Sequence, residues 1–100
     1  MGGNGTYYML NTYPGFFKAA VPVSNCFYQA DSYNNIAKTP VRAIMGGYET
    51  GDYGSCMQTD VNAINALGGS ATMETVPGAV HSTISGSLDY DSIFNWMLSH

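Results

Sequence analysis

The sequence predicts an α/β domain with about three parallel strands and flanking helices, and three observations point to it. Short apolar runs alternate with stretches of helical periodicity along the whole chain. Gly and Pro mark nearly every junction between them. The chain has 100 residues, the size of one domain. Such alternation calls for a parallel sheet with helical crossovers, so residues 1–100 are read as a single three-layer unit.

The elements follow in order. Gly5 to Tyr13 reads as a helix opened by a Gly-rich turn and stopped by Pro14-Gly15. Phe17 to Ser24 (FKAAVPVS) is apolar and partly β-branched, and reads as a buried strand in which Pro22 sits near the end. Asp31 can cap a short helix through Ala37. Pro40 leads into a second strand, Val41 to Met45, which Gly46 and Gly47 end. Tyr48 to Gly54 reads as a loop. Ser55 can cap a helix in which Met57, Val61, Ile64 and Leu67 recur at helical spacing, with Gly68-Gly69 as its stop. Ala71 to Val76 alternates and reads as a third, more exposed strand. Pro77 to Leu88 is a loop. Asp89 or Asp91 starts a last helix whose apolar stripe is Tyr90, Ile93, Phe94 and Met97, with Trp96 beside it. In parallel sheets functional groups gather after the carboxyl ends of strands, so the loops after the second and third strands draw attention.

Composition narrows the function classes. Charged residues make up 10% of the chain, against roughly 25% in ordinary soluble domains, which suggests faces meant to be covered. The net charge is −4, and Lys18, Lys38 and Arg42 are too scattered for a phosphate-binding surface, so no nucleic-acid partner is expected. No apolar run is long enough to span a bilayer, and no membrane partner is expected. No secretory signal is visible, and localisation stays open. Cys26 and Cys56 fit no metal pattern. They can pair, but two small half-buried free cysteines are the favoured reading. No metal and no cofactor are expected. Asp60, Glu74, Asp89 and Asp91 read as surface charges or caps.

The opening Met1-Gly2-Gly3-Asn4-Gly5-Thr6 resembles the tail of a nucleophile elbow, the strand-to-helix turn of α/β-hydrolases with the form G-x-S-x-G. Esterases and peptidase-like hydrolases of the feruloyl-esterase and depolymerase kind often carry G-x-S-M-G-G-x-G-T there. Tyr13 to Ser24 (YPGFFKAAVPVS) resembles the segment after the elbow helix in that family. Gly46-Gly47-Tyr48-Glu49 stands where the family has G-x-x-D, and Pro77-Gly78-Ala79-Val80-His81 resembles the loop that delivers the catalytic His. Trp96 and Met97 fall where the family's closing helix often carries a Trp-Leu or Trp-Met pair.

The resemblance implies the C-terminal part of a serine hydrolase acting on carboxylic esters or peptides, with a partial α/β-hydrolase sheet. It makes His81 the general base and Glu49 its orienting acid, with Asp52 as the alternative acid. The Ser itself would immediately precede Met1, so Met1 and Gly2 would be the remnant of the elbow and Met1 N–H an oxyanion donor. Without that Ser and the second oxyanion donor, the chain alone is expected to be nearly inactive. Ser24, Ser55, Cys56 and Ser82 are substitutes by chemistry only, since none follows a strand-turn-helix pattern. The family's sheet would continue beyond Phe17 to Ser24, so that strand's open edge is expected to drive homo-oligomer formation. Two other readings compete. One is a non-catalytic binding module on the same scaffold, with the eight Tyr and one Trp lining a surface. The other is dinucleotide binding by Gly2 to Gly5, which lacks the preceding strand that this motif needs.

Overall fold

A computed structural model describes residues 2–24, 26, 33–47, 53–80 and 83–100. It is a small mixed α/β domain built on a two-stranded parallel sheet. Helix α1 spans Gly2–Thr12, β1 Val41–Gly46, α2 Tyr53–Ala66, β2 Ala71–Val76 and α3 Tyr90–Leu98. Single 3₁₀ turns cover Ile36–Lys38 and Ile84–Ser87. Strands β1 and β2 pair in register from Val41 opposite Ala71 to Gly46 opposite Val76, and α2 connects them.

The first expected strand is reduced. Phe17 to Ser24 contributes two isolated parallel bridges to β1, Ala20 with Val41 and Val23 with Ile44. Ala20 N–H donates to Pro40 C=O and Ser24 N–H to Ile44 C=O, while Ala20 and Pro22 C=O accept from Arg42 and Ile44 N–H. In a parallel ladder the intervening rung would run from residue 22 to the Arg42 carbonyl. Proline has no N–H to make it, so the strand breaks into two bridges. Ser24 then turns out of extended geometry at φ 58°.

Two apolar clusters sandwich the sheet. On one face Tyr7 and Leu10 of α1 and Met57, Val61 and Ile64 of α2 pack on Val41, Ala43 and Met45. On the other, Ile93 of α3 meets Ile44, Ala79 and Ile84. The alternation of β1 residues between the two clusters is the period-two pleat. Burying these side chains contributes roughly 1.5–3 kcal/mol for each large one.

Local chemistry sets the ends. Gly68, at φ 81°, closes α2, and Gly69 N–H returns to Ile64 C=O. A Cβ at Gly69 would sit 2.7 Å from Ile64 Cγ2 and 3.0 Å from Ala37 O, so only glycine fits. The Asn65 amide then donates to Ala71 C=O and accepts from Ala71 N–H, both at 2.9 Å, fixing where β2 begins. Asp89 caps α3 by accepting from Ser92 N–H. Arg42 joins β1 to the start of α3, pairing with Glu74 at 2.7 Å and donating to the Ser92 carbonyl and hydroxyl.

Three expectations need correction. Helix α2 begins at Tyr53, so Ser55 lies inside it and is not its cap. Helix α1 begins at Gly2, so the glycine-rich opening is helix and not a turn. The stripe on α3 is periodic as expected, but only Ile93 is buried, while Tyr90, Phe94 and Met97 stay exposed among the described residues. The helix expected from Asp31 begins among residues outside the described set.

Candidate functional site

The stems of the two loops that the sequence singles out leave the carboxyl edge of the parallel pair, and these stems are in contact. Gly47 N–H donates to Val76 C=O at 2.8 Å, holding the base of the first loop against the last residue of β2. A Cβ on Gly47 would lie 3.2 Å from Val76 O and 3.4 Å from Gly78 N, so glycine permits the approach. Gly78 turns the second loop at φ 76°, and Ala79 N–H returns to Val76 C=O. Ala79 is buried against Ile44 and Ile84, which anchors the loop from below. Thr83 closes the far side. Its hydroxyl accepts from Val80 N–H at 3.0 Å, and its N–H donates to Val80 C=O.

The opening of α1 reaches the same edge. Asn4 Nδ2 donates to the Cys26 carbonyl at 2.9 Å, two residues beyond the end of the bridged segment at Ser24. The glycine-rich N-terminal turn, the stem of the β1 loop and the stem of the β2 loop therefore gather at one end of the sheet. Gly2 is the first residue of α1. Met1, Glu49, Asp52 and His81 lie outside the described residues, as does Ser82.

Two of the substitute nucleophiles can be placed. Ser24 is 3% exposed, so its hydroxyl faces the interior and not a substrate. Cys56 is bonded to Cys26. That disulfide corrects the favoured expectation of two free cysteines. The two Cα atoms lie 5.9 Å apart across a sequence separation of 30, within ordinary bridging range.

Around the disulfide is a polar cluster that sequence reading missed. Asp60, expected on the surface, is 1% exposed. Tyr33 Oη donates to Asp60 Oδ1 at 2.5 Å, a short charge-assisted bond. One carboxylate oxygen of Asp60 and the two sulfurs all lie within 4.8 Å of one another. Burial holds the Tyr33 phenol above its ordinary pKa, and its hydrogen bond to Asp60 and that residue's charge act in the same direction. Burial does the same to Tyr7, reinforced by the charge of Asp60 and by Tyr33. A signal for Asp60 was present. It lies between Met57, Val61 and Ile64 at helical spacing, on the face that α2 turns to the core.

A groove of about 450 Å³ opens on the side of the bridged segment away from β1. Its lining comes from Met9 and Leu10 of α1, Phe17 and Ala19 to Val21 of the segment, and Met97 of α3. Ala19, Val21 and Val23 make no backbone hydrogen bond among the described residues, so this side is an open strand edge with helices above and below. Among the described residues no helix is long and apolar enough to cross a membrane. Comparison of the chain with known protein families, with curated proteins and with solved structures finds no match.

Proposed function

We propose that the chain supplies the base and the acid of a serine-type hydrolase acting on carboxylic esters. The observation that carries the reading is the bond from Gly47 N–H to Val76 C=O, which holds the residue before the Glu49 and Asp52 segment against the end of the strand that precedes His81. A hydrolase needs these two groups within hydrogen-bond reach, and adjacent parallel strands are an economical way to achieve it. The glycine-rich start of α1 at the same edge supports the reading, because an elbow delivers its nucleophile there. In this scheme His81 takes the proton of a serine hydroxyl as that oxygen attacks the ester carbonyl. It then returns the proton to the leaving alcohol, while the carboxylate fixes the imidazole and balances its charge.

The open edge of Ala19 to Val23 supports a second element of the proposal. The sheet continues there with further strands, as in a larger α/β-hydrolase sheet, or pairs with a second copy of the chain as a homo-oligomer.

The test uses the protein as it stands. His81 and His100 are the two histidines, and their imidazole shifts are followed by NMR against pH. A carboxylate bonded to His81 raises its pKa above the ordinary value of about 6.5. Glu49→Gln lowers it again if Glu49 is the acid, and Asp52→Asn does so if Asp52 is. An imidazole that titrates identically in both variants contradicts the proposal.

A further inference from the structure

We propose that the Cys26–Cys56 pair is a thiol–disulfide exchange centre in which Cys56 is the sulfur that meets the partner and Asp60 moves the proton of Cys26. The proposal does not depend on the hydrolase reading. It rests on an asymmetry. Cys26 is 0% exposed, whereas Cys56 is half-buried and lies in the first turn of α2. Cys56 is therefore the nearer of the two to solvent. A helix N-terminus also favours its thiolate form.

The second feature is the carboxylate. A thiol buried like Cys26 has no water to take its proton, yet only its thiolate can attack. Asp60 stands one turn along α2 from Cys56 and within 4.8 Å of both sulfurs. A buried carboxylate has a cost, and an apolar residue on this face would pack without it. The Tyr33 hydroxyl holds it in place. Among the described residues, the titratable groups facing Asp60 are Tyr7 from α1, Tyr33 from the segment before Ile36, and the two cysteines.

In the reduced protein, the Cys56 thiolate attacks a partner disulfide, R–S–S–R′. A Cys56–S–S–R bond forms, the partner S–S bond breaks, and R′S⁻ leaves and takes up a proton. Cys26–SH passes its proton to the Asp60 carboxylate. The Cys26 thiolate attacks Cys56 Sγ and expels RS⁻, which is protonated in turn. The protein dithiol is oxidised to the disulfide and the partner is reduced to two thiols. A partner dithiol runs the same steps in reverse, beginning at Cys56 of the disulfide form. The partner class is a small or peptidic disulfide–dithiol couple.

Oxidised glutathione and dithiothreitol are the probes, with iodoacetamide trapping and mass spectrometry as readout. Millimolar dithiothreitol is expected to reduce the pair while the far-ultraviolet circular dichroism is retained. In Cys26→Ser, oxidised glutathione leaves a stable adduct on Cys56. In Cys56→Ser, Cys26 stays unmodified until urea is added. Asp60→Asn slows closure of the disulfide by at least about tenfold near neutral pH, and flattens its pH dependence. The proposal is overturned if the pair resists reduction until the chain unfolds, or if glutathione marks Cys26 in preference to Cys56. Closure in Asp60→Asn at the wild-type rate and pH profile overturns it as well. Should Asp60→Asn fail to fold, the reduction experiment decides alone: a pair that dithiothreitol opens only as the chain unfolds overturns the proposal.

Discussion

Alkaline pH tests the buried tyrosine cluster quantitatively. Tyr7 is fully buried, and burial together with the nearby Asp60 charge holds its phenol far above the ordinary 10.0. The neutral phenol is therefore the form the native state keeps. Below pH 10 both native and unfolded chains carry the proton, and the contribution to stability is complete. Above pH 10 the unfolded chain releases it and the native chain does not, so stability falls as pH rises. The slope is about 1.4 kcal/mol per pH unit for one such group, and the loss between pH 9 and pH 11.5 integrates to about 2 kcal/mol. Tyr33 shifts in the same direction, but it is only half-buried, and solvent screening reduces its share. Urea unfolding followed by circular dichroism at several pH values gives the slope. Tyr7→Phe removes the group and subtracts every other titration common to both proteins. The expected result is that the variant loses about 2 kcal/mol less than wild type over that range. Parallel pH profiles for the two proteins would refute the placement of Tyr7 and the electrostatic role of Asp60 beside it.

Four further outcomes follow from local geometry. Asn65→Ala removes both bonds to Ala71 and should lower the stability read from urea midpoints by about 2 kcal/mol, with Asn65→Asp, which keeps only the acceptor, falling between. Asp89→Ala uncaps α3 and should cost about 1 kcal/mol, a drop of several degrees in Tm. Gly69→Ala should destabilise more than Gly68→Ala, because the first meets Ile64 and Ala37 while the second strains only φ; equal Tm shifts would contradict this. Ala19→Lys places a charge on the open edge and should abolish concentration-dependent self-association in sedimentation velocity with little change in urea stability. A wild-type chain that stays monomeric at high concentration would remove the edge-pairing reading.

Much of the fold was legible because punctuation and period agreed. Strand β2 runs from Ala71 to Val76 as its alternation and the bounding Gly69 and Pro77 indicate, and β1 overruns its expected end by one residue, Gly46. The chain was harder to read wherever tertiary contacts decide. Gly2 to Gly5 have poor helix propensity, yet they belong to α1, whose opening Asn4 ties to Cys26. Pro22 was recognised as a strand breaker, but which rung it removes depends on register with β1. No cysteine spacing reveals that residues 26 and 56 approach within bridging distance. Asp60 shows how a charged residue on an apolar face is misread when its partners, Tyr33 and Tyr7, are distant in sequence. For the expected site, both loop stems were legible from Gly46-Gly47 and Pro77-Gly78, while the positions of Glu49, Asp52 and His81 lie beyond the described residues.

The disulfide and the stem of the loop after β1 lie on consecutive parts of the chain. The loop that follows β1 is held at its start by Gly47 on Val76, and helix α2 follows it with Cys56 in its first turn. Cys26, the other half of the bridge, also receives Asn4 from the first turn of α1. One covalent bond thus joins the segment after Ser24 to α2, at the edge where α1 also begins. A bridge of this span stabilises by restricting the unfolded chain, by about 3–4 kcal/mol in the chain-entropy picture. For a small domain that is a large part of total stability. Glu49 and Asp52 lie in sequence between the Gly47 contact and Cys56. Met57, Val61 and Ile64 of the same helix pack on β1. If both proposals hold, the oxidation state of the pair sets how firmly the acid is presented to His81. The imidazole pKa that identifies the acid would then shift on reduction, in the same direction as in the carboxylate variant.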